Sequence, residues 1–149
     1  MDGPIVKDIR IDAPPEIVFE FLTDPAKLIR WLGLRAELVA RPGGIFRVDP
    51  NGRDVIRGAY LDVVPHSRVV FTWGWEARQD LPVGSTIVEI TLEGDGTGTR
   101  LRLVHRNLPT DSREGHDKGW AHYLSRLKTV SEGGEPGVDP LADPQVPHK

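Results

Sequence analysis

The chain opens with apolar and polar side chains in alternation over residues 5–12. A period of two is typical of a strand with one buried face. Two prolines then mark the start of a helix, because proline is tolerated in a first helical turn, and apolar side chains recur at helical spacing over about 14–22. Asp24 and Pro25 repeat this start signal before another short apolar repeat that ends at Gly33. The pattern predicts a strand followed by two short helices.

Between residues 34 and 107 the period returns to two, and clusters of Gly, Pro, Asn and Asp interrupt it. Short interruptions of this kind predict hairpins between antiparallel strands. The alternation gives the resulting sheet one apolar face and one polar face. The predicted strands cover 35–41, 44–49, 54–64, 68–76, 85–93 and 99–107.

Apolar side chains then recur at helical spacing over about 111–131, which predicts one long amphipathic helix. The apolar face of the sheet needs a cover, and this helix is long enough to supply it. The last stretch, 133–149, is rich in Pro and Gly and poor in large apolar side chains. We therefore expect one domain over 1–132 and a disordered tail over 133–149.

Composition narrows the classes of function. A chain of 149 residues that is 38% hydrophobic and 28% charged fits one globular domain. The lack of Cys excludes thiol catalysis and metal sites built on Cys. No apolar run approaches the roughly 18 residues of a membrane span, so we expect a cytoplasmic protein without a membrane span. The net charge of -3 does not suit a nucleic-acid partner, since such proteins usually carry a basic surface.

Several segments together resemble a known family. The segments IDAPPEIVF and TDP resemble the opening of the START-like (SRPBCC, Bet v-like) superfamily. Others resemble the family related to the carboxy-terminal domain of the heat-shock protein 90 ATPase activator, namely RPGGIF (41–46), RVVFTW (68–73), GTRL (98–101) and GW (119–120). The resemblance spans about 5–132. It implies an α+β helix-grip fold of the order β-α-α-β6-α, in which a curved antiparallel sheet wraps a long carboxy-terminal helix above a cavity.

We expect aromatic side chains to line that cavity. Trp73 and Trp75 lie two positions apart on a strand, so they share a face with Phe71. Rings with few polar atoms are typical of a pocket for an apolar ligand, and His105 is a polar residue on an otherwise apolar strand face. For each residue taken singly, packing in the core is the open alternative. The predicted ligand-binding residues are Trp31, Phe46, Phe71, Trp73, Trp75, His105, Trp120, Tyr123 and Leu124.

The favoured hypothesis is a binding module for a small apolar or aromatic molecule, without a cofactor. An alternative is a cyclase- or hydrolase-type enzyme that uses His105 or Tyr123 as acid or base in the same cavity. No metal is expected, because His116 and His122 lie six positions apart, about 240° around a helix, and point in different directions.

A third class is protein interaction. The heat-shock protein 90 activator uses a separate amino-terminal domain for which this chain leaves no room, so we do not expect a chaperone interaction. A homodimer stays open.

Overall fold

The computed structural model of the protein describes residues 3–139 and has the predicted order of elements. The elements are β1 (Ile5–Ile11), α1 (Pro15–Thr23), α2 (Pro25–Leu28), β2 (Arg35–Leu38), β3 (Ile45–Asp49), β4 (Ile56–Val64), β5 (Arg68–Trp73), β6 (Thr86–Asp95), β7 (Gly98–Arg106) and α3 (Thr110–Ser131). The strands form one curved antiparallel sheet in the order β1-β7-β6-β5-β4-β3-β2, which does not close. The predicted helix-grip fold is confirmed. Within residues 3–139, no helix combines the length and the apolar character that crossing a bilayer takes.

Alternate residues of the sheet carry the core, as the period of two predicts. Val88 and Ile90 on β6 are buried together with Leu103 on β7. Their neighbours point to the other face, where Arg102 on β7 pairs with Asp8 on β1 at 2.8 Å. Exposed ion pairs of this kind contribute little to stability, so the apolar face is what holds the domain together.

Helix α3 covers the apolar face unevenly. Leu124, Leu127 and Val130 in its carboxy-terminal half are buried. The helix contacts α1 and β1. Nearer the amino terminus Gly115 is exposed and Gly119 is half-buried. The helix therefore packs closely on the sheet at one end and leaves room beside its first turns.

Two buried aromatic side chains complete the end of α1. The last carbonyl groups of a helix have no partner within the helix. The Nε1 atom of Trp31 donates to the carbonyl oxygen of Phe21 at 2.8 Å, and the hydroxyl of Tyr60 donates to the carbonyl oxygen of Leu22 at 3.3 Å. Since Tyr60 lies on β4 and Trp31 follows α2, these bonds attach α1 to both.

The segment that follows α3 runs back along it without regular secondary structure. Arg126 donates to the carbonyl oxygens of Pro136 and Gly137 at 3.5 and 3.2 Å, and Nε2 of His122 lies 2.8 Å from a carboxylate oxygen of Asp139. Residues 140–149 of the predicted tail lie outside the described residues. The disorder of the tail and the domain boundary at 132 stay predictions.

Replacement of Tyr60 by Phe tests the bond to α1. Tyr60→Phe leaves the carbonyl of Leu22 without its partner in a buried site, so we expect a loss of about 1–2 kcal/mol in the free energy of unfolding, measured with urea. Tyr123→Phe is the matched control, because burial and nearby charges, and no hydrogen bond, act on that hydroxyl among residues 3–139, and its cost should stay below about 0.5 kcal/mol. Equal losses in the two variants would contradict the role given to Tyr60.

Candidate functional site

A cleft of about 740 Å³ opens between the first turns of α3 and the sheet. One wall comes from the connection between β3 and β4, and a second from the segment 73–78 at the end of β5. The third wall is one face of α3, made of Ser112, Gly115, His116, Gly119, Trp120 and Tyr123. These positions recur three and four apart, which places them along one stripe of the helix.

Two glycines in the helix wall make room for the cleft. A Cβ atom added to Gly115 or Gly119 would meet no heavy atom within 4 Å, so no neighbour requires a glycine at either position. Glycine inside a helix costs about 1 kcal/mol relative to alanine. Gly74 differs, because a Cβ atom there would lie 1.8 Å from the carbonyl oxygen of Pro82. Gly74, directly after β5, permits close backbone approach, whereas the helix glycines leave open space.

His105 lies beneath the cleft with both ring nitrogens engaged. The Nε1 atom of Trp120 donates to Nδ1 of His105 at 3.0 Å, so the proton of the neutral ring is on Nε2. That atom lies 2.8 Å from Oγ1 of Thr86, whose hydroxyl donates to the carbonyl oxygen of Trp73 at 2.8 Å. His105 is fully buried and has no free nitrogen to offer a ligand in this structure.

Burial also removes His105 from acid–base chemistry near neutral pH. Desolvation, followed by the proximity of His116, lowers the pKa of His105 to about 3. A general base works best when its pKa lies near the operating pH. The geometry therefore gives His105 a structural part, which was the alternative left open for it.

His116 lies in the helix wall of the cleft, although its sequence position suggested no role beyond that of a rejected metal ligand. Its Nδ1 atom lies 2.8 Å from the carbonyl oxygen of Ser112, and because a carbonyl can only accept, Nδ1 carries the proton. Its Nε2 atom accepts a hydrogen bond from Nε1 of Trp75 at 3.2 Å. Burial lowers the pKa of His116, so the ring is neutral at neutral pH. The sequence does carry a signal for this position of His116, because it lies four residues before Trp120 and so on the same face of the helix.

Four of the predicted ligand-binding residues line the cleft, namely Trp73, Trp75, Trp120 and Tyr123. The other five are buried and are not among its lining residues, namely Trp31, Phe46, Phe71, His105 and Leu124. The rings of Phe46 and Phe71 stack with their centroids 4.0 Å apart, and both belong to the hydrophobic core. Packing thus fills that end of the predicted hollow and leaves the other end open.

Charged side chains surround the mouth of the cleft. Arg78 donates to both carboxylate oxygens of Asp80, at 3.1 and 2.6 Å, and to Oγ of Ser112 at 3.2 Å. These contacts connect the loop after β5 to the first turn of α3. Asp54 and Asp111 add carboxylates to the lining. Period and spacing could not find Arg78, Asp80 or Asp54, because these residues lie in loops, which carry neither.

Comparison with known proteins identifies the family. Residues 12–132 match the family described as Activator of Hsp90 ATPase homolog 1-like protein. The solution structure of the AHSA1-like protein from Rhizobium etli is 41% identical with a TM-score of 0.75, and the alignment covers 98% of this chain and 92% of that one. The chain belongs to the Activator of Hsp90 ATPase homolog 1-like family, as its resemblance predicted.

Two further structures share the fold. DynU16, a protein in the dynemicin biosynthetic locus, is 26% identical with a TM-score of 0.78; the match covers 91% of this chain and 49% of that chain, so this chain spans about half of DynU16. The Aha1 dimer from Colwellia psychrerythraea is 24% identical with a TM-score of 0.78, covering 89% of this chain and 98% of that one. At 24% identity, the similarity to the Colwellia protein shows a shared fold and nothing more. No curated protein is significantly similar to this chain.

The pKa of His105 predicts how stability depends on pH. Its folded pKa lies below the unfolded value of 6.5, so the unfolded state takes up a proton in the window from about 6.5 down to 3 while the folded state does not. Between pH 7 and pH 5 this group alone should remove about 2 kcal/mol of stability.

His105→Gln, which forms hydrogen bonds without titrating, isolates this contribution in urea unfolding at the two pH values. The variant starts less stable than the wild type but should lose about 2 kcal/mol less on acidification. His116 is present in both proteins and contributes in the same direction in each. An equal loss in both proteins would refute the assignment.

The two classes of glycine predict opposite effects of one substitution. Gly119→Ala adds a methyl group in open space and improves helix propensity, so we expect stabilisation by about 0.5–1 kcal/mol. Gly74→Ala forces a Cβ atom against the backbone of Pro82 and should cost about 2–3 kcal/mol. Calorimetric melting of the two variants beside the wild type measures both. A destabilised Gly119→Ala protein would show that the helix glycine is needed for packing.

Proposed function

We propose that the protein is a binding module that holds a small apolar or aromatic molecule in the cleft between α3 and the end of β5. The observation that carries this proposal is the pair of open positions at Gly115 and Gly119, opposite a wall of indole rings. Natural selection for stability alone favours alanine over glycine inside a helix. Packing does not explain these glycines, because no neighbouring atom lies close to them, whereas a need for space beside the aromatic rings does.

The dimensions and chemistry of the cleft support the proposal. Pockets for small molecules commonly measure roughly 300–1,000 Å³ and combine rings with a few polar groups, and the cleft of about 740 Å³ falls in this range. Trp73 and Trp120 lie with their ring centroids 5.1 Å apart, and Tyr123 adds a third ring to the lining. A planar ligand placed among them gains both burial and ring contacts, the latter worth about 0.5–1.5 kcal/mol per pair.

The charged residues at the mouth of the cleft favour one orientation of the ligand. Arg78 and Asp111 lie among the lining residues, so polar groups of a ligand are best placed outward, toward solvent and these side chains. The similarity to DynU16, a protein of a biosynthetic locus for dynemicin, is in line with a small-molecule ligand.

Binding is proposed ahead of catalysis because the candidate acid–base groups are poorly suited to it. Both nitrogens of His105 are engaged within the protein. Burial, with a smaller contribution from Asp139, raises the pKa of Tyr123, so its hydroxyl stays protonated at neutral pH and serves as a donor and not as a base.

A screen with fatty acids, sterols and aromatic polyketides tests the proposal. An aromatic ligand should quench tryptophan emission and raise the melting temperature. At a ligand concentration of about 100 times Kd, the free energy of unfolding should increase by about 2.7 kcal/mol. Gly119→Leu fills the cleft and should weaken binding at least tenfold. Ala121→Leu is the matched control, because Ala121 is exposed on the same helix and should retain wild-type affinity.

Two results would overturn the proposal. One is a wild-type protein whose emission and melting temperature respond to no compound of the screen. The other is a Gly119→Leu protein that is folded and binds a hit as tightly as Ala121→Leu does, which would place the ligand elsewhere.

A further inference from the structure

One indole of the protein lacks a hydrogen-bond acceptor. The chain has four tryptophans, and Trp31, Trp75 and Trp120 each donate their Nε1 proton to a protein acceptor. Trp73 is 4% exposed, and its Nε1 atom is buried without an acceptor among residues 3–139. Trp73 is also a lining residue of the cleft.

An unpaired buried donor is costly and calls for an explanation. Leaving such a group without a partner costs about 1–3 kcal/mol, and native structures satisfy nearly all buried donors. Two neighbouring rings contain nitrogen atoms that could accept a hydrogen bond. The ring centroids of His105 and His116 lie 5.5 and 6.2 Å from that of Trp73, but the nitrogens of both rings already have partners. The two histidine rings beside Trp73 therefore offer no free acceptor for this N–H group.

We propose that the ligand of the cleft supplies the missing acceptor, as an uncharged oxygen on an aromatic framework to which Nε1 of Trp73 donates. Aromatic ketones and quinones carry such an oxygen. This inference rests on the proposed function and adds a chemical class to it. It makes Trp73 a residue that determines specificity.

The surroundings favour an uncharged acceptor over a carboxylate. Trp75, Trp120 and His116 are neutral, and the guanidinium of Arg78 is engaged by Asp80 and Ser112. Arg53, the other cationic residue of the lining, is exposed, whereas Trp73 is buried. A buried carboxylate without a cation would pay a large desolvation penalty, whereas a carbonyl oxygen needs one donor.

Access to Trp73 requires a small rearrangement. Because protein atoms cover Nε1 of Trp73, a lining side chain has to change rotamer for a ligand to reach it. Rotamer changes at binding sites are common even where the backbone does not move.

The experiment compares 9-fluorenone with fluorene, two tricyclic molecules of nearly equal shape of which one carries a carbonyl oxygen. Affinities for both are measured by calorimetry with the wild type and with Trp73→Phe. We expect the preference for fluorenone over fluorene to be roughly threefold to tenfold larger in the wild type, which corresponds to one net hydrogen bond. The double comparison cancels the intrinsic difference between the two compounds.

Trp75→Phe is the matched control. It removes another indole of the same wall, one whose proton His116 already accepts. It should weaken both compounds by a common factor and leave the wild-type preference in place, because Trp73 is still present.

Proton–nitrogen correlation spectra give a second readout that does not depend on the stability of the variant. The indole signal of Trp73 is assigned by its loss in Trp73→Phe, or by elimination after the other three are assigned. Fluorenone should move this signal downfield in the wild type, and fluorene should not. If both compounds leave it in place or move it alike, the N–H group faces a neighbouring ring and the inference is wrong.

The outcomes separate the inference from the proposed function. If both compounds bind and Trp73→Phe leaves their relative affinity unchanged, the cleft binds ligands but Trp73 does not select them. If neither compound binds and the wider screen also finds no ligand, the inference and the proposed function fail together. If neither binds but the screen finds a ligand that leaves the indole signal of Trp73 in place, the inference alone fails.

Discussion

The distribution of side-chain volume along one face of α3 is the constraint on which the site depends. Large apolar side chains at Leu124, Leu127 and Val130 press the carboxy-terminal half of the helix onto the rest of the core. Gly115 and Gly119 occupy the equivalent stripe nearer the amino terminus and contribute no side chain. Close packing at one end and the lack of side chains at Gly115 and Gly119 nearer the other leave space between the first turns of α3 and the sheet. The cleft is therefore a consequence of packing and needs no separate element to form it.

A buried polar network then holds the walls of the cleft in place. The chain of hydrogen bonds from Trp120 through His105 and Thr86 to Trp73 joins α3 to β7, β6 and β5. A fully satisfied network of this kind rigidifies a core, since breaking one bond leaves a buried group unpaired. The same bonds use up the histidine nitrogens. The network thus fixes the shape of the cleft and leaves His105 no nitrogen for acid–base chemistry. The indole N–H group of Trp73 takes no part in the network.

Local periodicity explains why much of the architecture could be predicted. The alternation in the strands reports which side chains share a face, and the structure has Trp73 and Trp75 in one wall of the cleft although β5 ends at Trp73. Trp120 and Tyr123, three positions apart on α3, both lie in the helix wall. Periodicity reports direction and not distance, so it could not distinguish residues that line a cavity from residues that fill it. Phe71 shares the face of Trp73 and stacks on Phe46 in the core.

From its own residues, the chain determined the order of the elements, the apolar face of the sheet and the aromatic character of the space beneath the helix. Only the tertiary structure decided which end of that space stays open and which polar atoms are already paired. Trp31, which follows α2, shows the reason, because its acceptor is the carbonyl of Phe21 in α1, ten positions earlier in the chain. A pairing of this kind depends on how separate elements meet, and no pattern within either element records it.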